Sequence, residues 1–189
     1  MDVLEAMRGR ASTRAYLDKA VPRELVERIL EAARCAPSGV NTQPWQVWVA
    51  TGAVKQRIGD DIVAARQAGQ EPNPDYKYYP DKIGEPYRSR QKACGFALYN
   101  ALGIQREDIA RRTEQWMKNY YGFGAPVELF VFIDSALEKG SWVDTGMFLQ
   151  NVMLAARGCG LATCPQAAMA EFPDIVRRHL EVPPTLSLV

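Results

Sequence analysis

The chain has 189 residues and a formal net charge of +1, which fits one domain with a sizeable core and gives no electrostatic reason to expect nucleic acid or an acidic membrane as partner. Its four cysteines form no CxxC pair and His179 is its only histidine, so a multi-histidine metal site is excluded, a zinc site lacks its usual spacing, and no metal is expected. No apolar run reaches membrane-span length and Met1-Asp2-Val3-Leu4 lacks a signal pattern, so reduced thiols in a cytoplasmic protein are expected.

Val3, Leu4 and Met7 mark a short first helix behind an Asp2 cap, closing near Gly9. Arg10-Ala11-Ser12-Thr13-Arg14 follows, and two arginines four apart with hydroxyls between them can grip an anion. The same arginines also suit a solvated helix C-terminus, favoured by its dipole. Pro22 opens a second helix in which Leu25, Val26, Ile29, Leu30 and Ala33 recur at helical spacing.

Cys35-Ala36-Pro37-Ser38-Gly39-Val40-Asn41-Thr42-Gln43-Pro44-Trp45 then connects that helix to a strand. Pro37 ends the helix, and Trp45-Gln46-Val47-Trp48-Val49 alternates as a half-buried strand does. Ser38, Gly39, Asn41 and Gln43 sit on a loop anchored at both ends, where amides offering donor and acceptor suit a flat heterocycle. The same residues are ordinary turn formers, and local chemistry leaves the two readings level.

Val54, Ile58, Ile62 and Val63 define a further amphipathic helix. Residues 68–87 carry four prolines and two glycines among four tyrosines, too aromatic for a disordered linker and too proline-rich for regular structure. They read as an ordered excursion whose tyrosines line a pocket or, slightly favoured, pin the loop down. Helices are expected over 87–102 and 106–121, the second highly charged on one face. Gly122-Phe123-Gly124-Ala125-Pro126 breaks the pattern, and Val127 to Asp134 is apolar enough to be a central strand.

Ser141 with Asp144 reads as a capping box opening a long buried helix that ends at Gly158-Cys159-Gly160. The small, weakly polar run Leu161 to Ala168 would let backbone approach a ligand face. A short helix from Pro173 to Leu180 and a strand beginning at Thr185 complete the pattern. Few strands among many helices indicate an α+β layer fold. Unless His179 lies in a site, Ser–His and Cys–His catalysis are excluded, and the chemistry falls to a bound organic cofactor.

Arg10-x-Ser12-x-Arg14, Ala36-Pro37-Ser38-Gly39-x-Asn41-x-Gln43-Pro44-Trp45, and Gly158-x-Gly160-Leu161 before Pro165 together resemble the flavin-dependent nitroreductase family over essentially the whole chain. The excursion followed by Glu85-Pro86-Tyr87 resembles its nitrobenzene and nitrobenzoate reductase branch. The resemblance implies one FMN-binding domain over 1–189, with a central, mostly antiparallel sheet flanked by helices in an intertwined homodimer. FMN would bind at the subunit interface, with NADH or NADPH as hydride donor and a small aromatic substrate. Arg10 would meet the phosphate, Ser12 the phosphate or ribityl chain, and Arg14 the N1 and O2 edge. Pro37, Ser38, Gly39 and Asn41, with Gln43 close by, would approach from the partner subunit. Pro165, Gln166, Ala167 and Ala168 would pass over the ring, with the Ala167 N–H as donor to N5.

A ping-pong reduction of nitroarenes through nitroso to hydroxylamine follows from the resemblance, with no catalytic side chain required if water supplies protons. The same flavin site would serve quinones, halophenols or activated enes, or a flavin-binding dimer with little turnover. Family members carry a C-terminal arm bringing basic residues to the phosphate. Nothing follows Val189, so weaker FMN binding is expected of this chain.

Overall fold

A computed structural model describes residues 2–189; Met1, the first residue of the start read for a leader, lies outside them. The element order is α1 (Val3–Gly9), α2 (Arg23–Ala33), β1 (Gln46–Thr51), α3 (Gly52–Gln67), α4 (Tyr87–Ala101), α5 (Ile109–Met117), β2 (Val127–Asp134), α6 (Lys139–Gly158), α7 (Pro173–Leu180) and β3 (Leu186–Leu188). The three strands form an antiparallel sheet in the order β1-β2-β3, with Trp48 opposite Phe130 and Phe132 opposite Leu188. The α+β expectation and the central position of β2 hold.

Strand alternation divides the core into two layers, because successive side chains leave opposite faces of a sheet. Phe130 and Phe132 meet Ile58 and Ile62 of α3, Tyr120, and Ile175 and Val176 of α7. Val131 and its half-buried neighbour Leu129 meet Ile29 and Ala33 of α2 and Phe148, Val152 and Ala156 of α6. Trp45 stacks on Phe148 at 4.8 Å and fixes the entry into β1 against α6.

Several local expectations are corrected. Pro22 is the N-cap of α2 rather than its first residue; its carbonyl accepts from Leu25. Ser141 and Asp144 form no capping box: α6 begins earlier, at Lys139, and Asp144 instead accepts from the Gly39 N–H at 3.0 Å. The 106–121 helix tightens into a 3₁₀ segment from Lys118, where Gly122 and Phe123 adopt left-handed backbone (φ 54° and 55°).

The excursion is pinned down more than it lines a cavity. Tyr76 packs edge-on against Trp142 at 4.5 Å, while Tyr78, Tyr79 and Tyr87 are exposed. Asp75 accepts from the Leu188 N–H at 2.9 Å and pairs with Arg177, whose guanidinium donates to the Leu186 carbonyl at 2.8 Å. These groups cap polar atoms along the outer edge of β3. The opposite edge strand, β1, pairs only with β2 among the described residues.

Candidate functional site

The predicted site residues fall into two groups. The first gathers where the N-terminal segment runs beside the segment after α6. Ser12 forms a parallel bridge with Thr163, and the Thr13 N–H donates to the Thr163 carbonyl at 3.0 Å. That pairing places Arg10, Ser12 and Arg14 beside Cys164 and Pro165. Arg14 donates to the Ser12 carbonyl at 3.3 Å and lies 5.9 Å over the Phe123 ring. Burial pushes the Tyr16 hydroxyl up to about 12, with Cys164 adding to the rise and Arg14 opposing it. Burial also raises the Cys164 thiol despite Arg14 and Arg10 nearby, so it stays protonated near neutral pH and is no nucleophile.

Gln166, Ala167 and Ala168 follow, held from both sides. The Gln166 side-chain amide donates to the Asn119 carbonyl at 3.1 Å and to its side-chain oxygen at 3.0 Å, so the side chain anchors this segment. Beyond the 3₁₀ turn Ala168–Glu171, Glu171 accepts from the Tyr120 hydroxyl at 2.8 Å and pairs with Arg66, which lies 4.6 Å over Trp116. Burial raises the Tyr120 hydroxyl well above its ordinary range, keeping it a donor. The Ala167 N–H makes no hydrogen bond among the described residues.

The second group is the loop after α2. Val40, Asn41 and Gln43 all have positive φ (45°, 59° and 47°), a conformation costing about 1–2 kcal/mol per non-glycine residue. Three contacts hold it: Gly39 N–H to Asp144, Gln43 N–H to the Ser38 hydroxyl at 2.9 Å, and the Gln43 amide to the Asn41 side-chain oxygen at 3.2 Å. Pro37, Gly39, Asn41 and Gln43 are exposed and Ser38 is half-buried. Val40, 98% exposed, shows an apolar, strained residue facing outward with nothing of its own chain over it.

One chain does not bring the groups together. The loop is tied to Asp144 near the start of α6, whereas Gly9 packs against Arg157 near its end. Those contacts lie thirteen positions apart along the helix, about 20 Å along the axis. The two groups are therefore anchored at opposite ends of α6.

Arg157, which the sequence reading passed over, lies beside the first group. It lines a cleft of about 160 Å³ together with Gly9, Arg10, Thr13, Met153 and Thr163. Arg10 Nη1 and Arg157 Nε are both buried without a hydrogen-bond partner. Buried, unpaired guanidinium nitrogens beside an open cleft suit a phosphate, so the residues present fit the phosphorylated cofactor that the sequence implies. An arginine in the last turn of a helix reads as a dipole effect, which is why it carried no signal.

Comparison with known proteins agrees with this picture. The model of the nitroreductase family matches residues 7–189. The nitrobenzene nitroreductase of Ectopseudomonas oleovorans is 40% identical over 95% of this chain and 79% of its own. The 4-nitrobenzoate reductase of Pseudomonas putida is 39% identical over 96% and 79%. Among solved structures, an FMN and NADPH-dependent nitroreductase, NfnB of Sphigopyxis sp. strain HMH, superposes with a TM-score of 0.96 at 42% identity, covering 100% of this chain and 85% of that one. The fold, the order of the motifs and these likenesses together establish that the chain belongs to the nitroreductase family.

Proposed function

We propose that the protein is an FMN-dependent NAD(P)H oxidoreductase that reduces nitroaromatic compounds to hydroxylamines, working as a homodimer. The observation that carries this reading is the pairing of Ser12 with Thr163, which joins Arg10, Ser12 and Arg14 to the segment ending at Ala168. In the family's arrangement, a second copy would supply Pro37, Ser38, Gly39, Asn41 and Gln43. The separation of the groups along α6 supports that division. A cytoplasmic location fits as well, since among the described residues no helix is long and apolar enough to cross a membrane.

When bound, FMN supplies the hydride acceptance and delivery that no side chain of this protein can perform. The chain's residues bind and orient it. Arg10 would hold the phosphate, Ser12 the adjoining chain, and Arg14 would place positive charge at the N1 and O2 edge. The Ala167 N–H, which makes no hydrogen bond among the described residues, would be the donor to N5, and Asn119 and Glu171 keep that backbone in place. Protons come from water: His179 is committed to Asp61 at 2.8 Å, on the surface between α3 and α7. The nitro-compound names of the relatives favour nitro acceptors over quinones, halophenols and enes.

Purified protein is expected to be yellow, or to become so with added FMN, and to oxidise NADH or NADPH when 4-nitrobenzoate or nitrobenzene is supplied. Protein that stays colourless with FMN and consumes no nicotinamide cofactor with either acceptor contradicts the reading.

A further inference from the structure

We infer that Arg157 and Arg10 together form the cradle for a phosphate monoester, with Arg157 as a binding residue in its own right. The inference rests on the flavin reading only for the identity of the ligand. Its basis is the disposition of the two guanidiniums. They lie on the same cleft, and each holds a buried nitrogen without a partner. Among the described residues, neither has a carboxylate within 4 Å, whereas the half-buried Arg66 and Arg177 each have one. Two cations sharing a cleft without a counter-charge repel each other, and an anion between them removes both the repulsion and the unmet hydrogen bonds.

A capping role does not explain Arg157. The last carbonyls of α6 are already taken by backbone donors: Cys159 bonds to Ala155 and Ala156, Leu161 to Ala156 and Gly160 to Arg157. The last turn of α1 is closed likewise, Arg10 N–H donating to the Ala6 carbonyl at 3.0 Å. Cation–π stacking is recorded for Arg14, Arg66 and Arg112 and not for Arg157. Gly9 also fits the role. A Cβ there would stand 3.1 Å from Arg157 Nη2, so the glycine lets the guanidinium lie against the backbone at the mouth of the cleft. Thr13 and Thr163 line the same wall, and hydroxyls of this kind complete phosphate sites.

The test measures binding of FMN, riboflavin, NADPH and NADH to the wild-type chain and to Arg157→Met and Arg157→Lys. Methionine keeps the stem and removes the charge; lysine keeps the charge without the fork. The expected result is a loss of about tenfold to a hundredfold in FMN affinity for Arg157→Met, with riboflavin affinity unchanged and partial recovery in Arg157→Lys. If instead FMN is unaffected and the preference for NADPH over NADH disappears, the cradle stands and its phosphate is that of the nicotinamide cofactor. Equal loss of FMN and riboflavin, or no change with any of the four, overturns the inference.

A wild-type chain that binds no flavin would defeat the flavin reading without deciding this one. In that case inorganic phosphate, against chloride at matched ionic strength, is expected to raise the melting temperature of the wild type and not of Arg157→Met. An equal response of both proteins overturns the cradle.

Discussion

Replacing Glu128 by glutamine is expected to abolish a loss of stability of about 3 kcal/mol that the wild-type protein undergoes between pH 5 and pH 8. Glu128 opens β2 opposite Ala50 and turns its carboxyl beneath the left-handed Gly122, where a Cβ would stand 2.3 Å from Oε1. Both carboxyl oxygens are buried without a partner. Lys55, the nearest opposing charge, spends its ammonium on the Tyr121 carbonyl at 3.4 Å. Burial therefore pushes the Glu128 carboxyl up to about 7, with Lys55 only partly offsetting it.

The direction follows from proton linkage. The unfolded chain releases this proton near 4.5, and the folded chain holds it until about 7. Between those values the unfolded state gains from each rise in pH, so the stabilisation is complete below 4.5, falls through the window and is gone above 7. Asp61, whose carboxyl is held below 3.8 by His179 and Arg178, titrates outside that window. For a chain this size the loss corresponds to about 6–12 °C in melting temperature. Thermal melts of wild type and Glu128→Gln from pH 5 to 8 check it. Parallel curves for the two proteins would show that Glu128 is not the group responsible.

The second large effect is kinetic. Arg14→Ala is expected to slow reduction of the flavin by NAD(P)H about tenfold to a hundredfold while weakening flavin binding by much less. The Arg14 guanidinium is exposed, steadied by the Ser12 carbonyl and the Phe123 ring, and has no carboxylate partner among the described residues. In the proposed site its charge would act on the ring edge where negative charge accumulates on reduction, a contribution larger in the transition state than in the bound ground state. Stopped-flow bleaching of the flavin, set beside a binding titration, separates the two quantities. Equal losses in rate and in affinity would make Arg14 an ordinary binding residue.

Much of this was legible in the sequence because it rests on period and punctuation. The apolar run Val127–Asp134 has the composition of a central strand, and Pro173 with the apolar positions after it marks α7 to the residue. What escaped depends on contacts between distant residues. Asp144 looked like a local cap because Ser141 stands three residues before it, yet its partner is Gly39, 105 positions away. Glu128 has no signal of its own within an apolar strand, and only the left-handed turn over it makes it a buried acid. Arg157 carried no motif, and its meaning depends on Gly9 and Arg10 lying against it. The left-handed backbone of Val40 is equally invisible, since a β-branched residue is the last that sequence would place there.

The chain also shows why the site motifs are so far apart in sequence. One pair of motifs is joined by the Ser12–Thr163 bridge, and the third is carried at the far end of α6. In the proposed homodimer a twofold axis would return each loop to the other copy's arginines, since in such an interface the same surfaces meet reciprocally.

Mixing two defective chains tests that account most directly. One carries Arg10→Ala with Arg14→Ala, the other Ser38→Trp, and each alone is expected to bind almost no FMN. If the site is built from both copies, unfolding and refolding the mixture restores one intact site in each mixed dimer, about a quarter of all sites on random pairing. A mixture that binds no more FMN than its separate components would mean that each site belongs to a single chain, contrary to the separation of the two groups along α6.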